Sequence, residues 1–148
     1  MRKHPWKGFT LIELMIVLVV IAILLGVVLP QFKGTQDEAN MQRARSELRT
    51  LATAVESYYI HNSNALPSAL SSLTSASPRI VNAIPNDPFN AGSSYSYSRD
   101  NGTTPIYYVI FSYGPGRTAG ITGISTAGAL TGTQGDDICV TNGTATTC

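Results

Sequence analysis

The chain has 148 residues, 10 Lys+Arg against 9 Asp+Glu, a formal charge of +1 and only 13 % charged residues. That length holds one modest domain beyond any anchor rather than a large core. The near-zero charge argues against a nucleic-acid-binding surface, since such domains concentrate Lys and Arg.

Residues 1–8 carry Arg2, Lys3 and Lys7 and no acid. The 9–29 run after them is apolar except for Thr10 and Glu13. As a helix it spans roughly 30 Å, the thickness of a bilayer's hydrocarbon core. The basic flank keeps the first eight residues in the cytoplasm and sends the residues beyond the span outside. No small-residue cleavage pattern stands after the apolar core, so it does not read as a signal peptide removed at its far end. Glu13 is the anomaly, because a carboxylate in a span costs about 2.5 kcal/mol or more and so marks a functional position.

Beyond Pro30 the pattern becomes amphipathic. Ala44, Leu48, Leu51, Ala52, Val55 and Tyr59 recur at helical spacing, with Arg43, Arg45, Glu47, Arg49 and Glu56 on the other faces. One helix is predicted to run to about His61, with a kink or melted turn at 26–34 around Gly26 and Pro30, because an interior proline costs about 3 kcal/mol of helix stability. Residues 62–93 read as loop, interrupted by Pro67, Pro78, Pro85 and Pro88, with a short helix at 68–73. Tyr95 and Tyr97 alternate with serines, and the 106–111 run is rich in strand formers, with Asp100-Asn101-Gly102 between them. These predict an antiparallel hairpin, to which a strand near Ile138–Thr141 adds. The expected fold class is α+β: a long N-terminal helix packed on a small antiparallel sheet.

Cys139 and Cys148 both fall outside the cytoplasm in this topology. An oxidising compartment and a nearby pair favour a disulfide closing a ten-residue loop, worth roughly 2.5–3 kcal/mol in the chain-entropy model. A zinc pair is the other reading, and it lacks the two further ligands that zinc requires. Catalysis finds no support: His4 and His61 stand apart from any acid–base partner, and no nucleophile elbow or phosphate-binding glycine loop is present. The sequons at Asn101 and Asn142 suit turns equally well.

The run Gly8-Phe9-Thr10-Leu11-Ile12-Glu13, set between a basic flank and an apolar core, resembles the processing site of the type IV pilin superfamily, which includes the pseudopilins of type II secretion. The resemblance implies that prepilin peptidase cuts between Gly8 and Phe9 and methylates the Phe9 amine. It makes Glu13 the glutamate at the fifth mature position and Pro30 the proline near which the helix loosens in filaments. The domains are then a removed leader at 1–8, a membrane-spanning and filament-core helix at 9–30, and an amphipathic continuation with a head at 31–148. Without Arg2, Lys3 and Lys7 the mature chain has seven basic and nine acidic residues. The freed amine lies one helical turn from Glu13, so the two can pair within a chain or between neighbours.

The head motifs Ile84-Pro85-Asn86-Asp87-Pro88-Phe89, Tyr95-Ser96-Tyr97, Ser112-Tyr113-Gly114 and Asp136-Asp137-Ile138 resemble the major pseudopilin of type II secretion, the G type. That resemblance implies a calcium loop, with an acid just after the Ser-x-Gly segment. Here Pro115-Gly116 stands there, and a Gly/Thr/Ala-rich insertion at 118–134 intervenes, leaving Asp136 and Asp137 as thin calcium candidates.

The implied function is a non-enzymatic filament subunit of a single-pass bacterial inner-membrane protein with its head outside the cytoplasm, later part of a periplasmic or extracellular filament. Implied partners are copies of itself, other pilins or pseudopilins, prepilin peptidase, and an assembly platform with its ATPase. The head motifs favour a secretion pseudopilus and the cysteine pair favours a type IV pilus. A tethered binding domain that never polymerises would need neither Glu13 nor the Gly8-Phe9 junction.

Overall fold

The computed structural model describes residues 8–145, with 28–33 described by their backbone alone. It is α+β: a long helix, α1 (Leu11–His61), a one-turn helix, α2 (Ser72–Ser75), and five short strands. The chain divides into two compact units, Met1–Asp37 and Glu38–Cys148.

In the first unit the described side chains of α1 up to Val27 are exposed on every face, among them Leu11, Leu14, Leu18 and Ile23. A helix apolar all round is one whose partners come from outside itself. Among the described residues no helix is long and apolar enough to cross a membrane; the expected span ends on side chains, 28–30, that lie outside the description. The backbone of α1 stays helical through Gly26, Pro30 and Gly34, so the melted turn expected there is not present. Proline removes one i→i−4 bond, and the helix continues on the bonds either side.

In the second unit the helical stripe read from the sequence is buried: Ala44, Leu48, Leu51, Ala52 and Val55. They pack into one core with Leu66, Leu70, Leu73, Phe89, Tyr95, Tyr108, Ile110 and Ile138. The single turn of α2 starts later than the predicted 68–73, because i→i+3 bonds from the Ser72 and Leu73 N–H groups to Ala69 and Leu70 make a tight turn first.

The main sheet has the order β1-β2-β5, all antiparallel: β1 (Ser96–Arg99), β2 (Tyr108–Ser112) and β5 (Ile138–Thr141). β1 pairs with β2 from Ser96↔Phe111 to Arg99↔Tyr108, and β2 with β5 from Val109↔Thr141 to Ser112↔Ile138. Every position of β2 is buried, because both its faces are covered. Tyr108 and Ile110 face the helix core, while Val109 and Phe111 face a second cluster with Ile121 and Ile124. A continuous apolar run is what such a strand requires.

That second cluster comes from the 118–134 segment, which the sequence shows only as an insertion. It forms an antiparallel hairpin, β3 (Ile121–Ile124) and β4 (Leu130–Gly132). The connection closes with Ser125 and Ala129 paired and the Gly128 N–H on the Ser125 carbonyl oxygen; Gly128 has φ +76°, the left-handed conformation that ends a three-residue hairpin loop and that glycine adopts without steric cost.

Candidate functional site

Gly8, Phe9 and Thr10 precede the first helical residue and are exposed, Phe9 by 87 %. The Gly8-Phe9 bond is therefore held by no regular secondary structure. Thr10 caps α1: its carbonyl oxygen accepts the Leu14 N–H, and its hydroxyl oxygen accepts the Glu13 N–H at 3.3 Å. Glu13 reaches back, its Oε2 accepting the Thr10 N–H at 2.9 Å and the Thr10 hydroxyl at 2.7 Å. This is a reciprocal capping box, which satisfies two backbone donors that a helix start leaves orphaned. The signal Thr10-x-x-Glu13 stands in the sequence, but the role of Glu13 as a cap passes unseen beside its cost in lipid. Scission after Gly8 would put the new amine one residue from the N–H that already meets this carboxylate.

The head motifs separated in sequence meet in space. Asp87 is buried, and its Oδ1 accepts the Ser112 hydroxyl at 2.6 Å and the Phe89 N–H at 2.9 Å, while Oδ2 accepts the Tyr113 N–H at 3.0 Å. The 86–89 turn is thereby pinned to the end of β2, so these residues hold the fold rather than forming an open site. Asp100 does the same for the 100–107 connection, accepting N–H groups from Gly102, Ile106 and Tyr107 at 2.9, 2.8 and 2.8 Å. The Tyr107 N–H above all, with those of Gly102 and Ile106, holds its carboxyl below the ordinary value against an opposing desolvation.

The late acidic pair is split between two tasks. Asp136 is exposed and accepts the Gly116 N–H. Asp137 is buried, and its Oδ2 accepts the N–H groups of Gly120 and Ile121 at 2.8 and 2.9 Å. Its Oδ1 is buried without a hydrogen-bond partner. Among the described residues no group of three or more His, Cys, Asp or Glu side chains could hold a metal ion. Calcium takes six to eight oxygen ligands, and what converges on these carboxylates is N–H groups. Cys139 lies in β5; Cys148, the partner expected for it, lies outside the described residues.

The two tyrosines of the predicted alternation, Tyr95 and Tyr97, tie this side of the head to α1 and the loop after it. The Tyr95 hydroxyl donates to Glu47 Oε2 at 2.7 Å, and Glu47 Oε1 pairs with Arg43 Nε at 2.8 Å. Burial first, then the Glu47 carboxylate, pushes that hydroxyl's pKa above its ordinary range. Tyr97 donates to the Pro67 carbonyl oxygen at 2.9 Å, and its ring stacks on that of Tyr108 at 6.3 Å. His61 lies at the end of α1 with Nδ1 2.8 Å from the Ser57 carbonyl oxygen, a helix-terminal contact. Asn142 holds the entry to β2, Oδ1 accepting the Tyr108 N–H at 2.8 Å and Nδ2 donating to the Ile106 carbonyl oxygen at 2.7 Å; its sequon amide is thus engaged structurally.

Two family models match. The prokaryotic N-terminal methylation motif covers residues 7–29, and type II secretion system protein G covers residues 31–127. Among similar proteins, the type II secretion system core protein G of Vibrio cholerae is 29 % identical over 119 residues, 72 % of this chain and 80 % of the relative. That of Klebsiella pneumoniae is 30 % identical over 122 residues, 74 % of this chain and 84 % of the relative. That of Aeromonas hydrophila is 34 % identical over 102 residues, 69 % of this chain and 64 % of the relative. No solved structure matches the chain significantly.

Proposed function

The chain belongs to the type II secretion system protein G family, and we propose that it is a non-enzymatic structural subunit of a secretion pseudopilus. In this reading prepilin peptidase cuts between Gly8 and Phe9 and methylates the new amine. Residues 9–30 then hold the chain in the bacterial inner membrane as a single pass, with the head outside the cytoplasm, until it is drawn into a periplasmic filament. Its partners are copies of itself, other pseudopilins, prepilin peptidase, and an inner-membrane assembly platform with its ATPase.

The observation that carries the reading is an exposed Gly8-Phe9 junction leading into a helix whose apolar side chains are exposed on every face. Packing those faces against the same faces of neighbouring copies removes them from water and lipid alike, and it brings each Phe9 amine within reach of a neighbour's Glu13. Either charge alone in an apolar filament core is costly, so their pairing favours one register. A type IV pilus is the second reading, favoured by the pair Cys139 and Cys148.

Intact-mass measurement on membrane protein decides the first step: the expected mature species starts at Phe9 and carries one methyl group. A dominant species retaining residues 1–8 in cells with active prepilin peptidase would refute it. Filaments sheared from cells that carry the secretion genes alone, or pilus genes alone, then separate the two readings by which machinery assembles this chain.

A further inference from the structure

The G-type resemblance assigns calcium to the loop that Asp136 and Asp137 close, and the donors placed here do not suit a cation. An N–H pointed at a carboxylate oxygen occupies a lone pair and brings the positive end of a dipole to the place a cation would take. Asp136 Oδ2 receives Gly116, and Asp137 Oδ2 receives both Gly120 and Ile121. Asp137 Oδ1 is the buried carboxylate oxygen left without a hydrogen-bond partner among the described residues, and two carboxylates already turned to N–H groups supply few of the six to eight oxygens that calcium takes.

The donors share an origin. Gly116 lies just before the 118–134 segment, Gly120 immediately precedes β3 and Ile121 opens it, while Asp137 immediately precedes β5. We propose that in this chain the β3–β4 hairpin takes the place of the cation: Asp136 and Asp137 clasp the 116–121 backbone to the start of β5, and the head keeps its C-terminal loop closed without calcium. Charge-assisted bonds to N–H groups are about twice as strong as neutral ones, which suits them to hold a loop that a metal would otherwise hold.

Gly116 belongs to the same exchange. Pro115-Gly116 stands where the resemblance expects an acid, and a Cβ on Gly116 would lie 2.7 Å from Asp136 Oδ2 and 2.9 Å from Oδ1. A side chain at 116 would displace the carboxylate from its N–H, so the lost acid and the clasp are two aspects of one arrangement. The clasp belongs to the head and holds whether or not the chain polymerises; its contrast with a calcium loop rests on family membership.

The test uses the full-length protein in detergent micelles, melted in chelator and in millimolar calcium, with amide hydrogen exchange as the second readout. The expected wild-type midpoint is the same in both. Asp137→Ala is expected to lower it equally in both and to speed exchange at the Gly120 and Ile121 amides about tenfold or more. Should Asp137→Ala fail to fold, Asp136→Ala at an exposed position reads the same clasp through exchange at Gly116. A midpoint that calcium raises by several degrees in the wild type overturns the proposal, as does exchange at these amides that the substitutions leave unchanged.

Discussion

One helix passes through two environments in this molecule. Between Leu11 and Val27 the described side chains of α1 touch no core and lie exposed, whereas from Ala44 to Val55 the same helix buries a leucine–alanine stripe against a sheet. The hydrophobic content is higher where the internal partner is missing. A buried stripe one face wide serves a single domain, and an apolar surface all round serves contacts with lipid or with other copies. The head half of α1 therefore serves the core of the head, and the proposed function gives the N-terminal half to assembly.

Glu13→Ala is the sharpest way to break that division. The expected outcome is near-complete loss of sheared filament from cells in which it is the only copy, with cleavage after Gly8 and the melting of the head unchanged. Loss of the Thr10–Glu13 capping box alone frees backbone donors at one exposed helix start, too little to abolish a filament. Normal filament yield would remove the assembly role given to Glu13.

Paired truncations in the two halves read the same contrast as stability. Leu48→Ala, at a position 1 % exposed, should destabilise the head by about 2–5 kcal/mol in denaturant unfolding. Leu18→Ala, on the exposed apolar half, should change head unfolding by less than about 0.5 kcal/mol. Equal effects would mean that the two units fold as one.

A smaller effect is expected from reductant, which should cost the head at most about 3 kcal/mol if the Cys139 bond closes the ten-residue C-terminal loop. Melts with and without reductant measure it, and no shift would place the bond outside the stability of the head.

Asp100 gives the last and smallest test, at about 1–3 kcal/mol for Asp100→Ala, which leaves three N–H groups without their acceptor. Its folded pKa is lowered, so the folded state favours the carboxylate. That contribution is complete above the unfolded value, about 3.9, and is lost as pH falls through the lower folded value. Acid unfolding curves of wild type and Asp100→Ala should therefore converge below about pH 4.

Local sequence carried the elements whose signal is a long period or a single chemical anomaly. The length of α1, its stripe at 44, 48, 51 and 55, the pairing of a strand after Tyr95 with one inside the 106–111 run, and the family of the Gly8–Glu13 run are all legible from the pattern along the chain. The β3–β4 hairpin is not, because its apolar positions are few and a bulge between Ile121 and Gly123 breaks the alternation. Its burial depends on Val109 and Phe111, residues already read as strand with no second face assigned to them.

The same distinction separates the two carboxylate questions. Glu13 stands out in sequence because its neighbours are uniformly apolar and its cap partner is three residues away. For Asp136 and Asp137 the sequence settled only that two acids precede β5. Which groups they face depended on where the fold brought Gly116, Gly120 and Ile121, 16 to 20 residues earlier in the chain. A carboxylate will take a metal ion or a set of N–H groups with equal chemical readiness, so tertiary structure alone decided which was within reach.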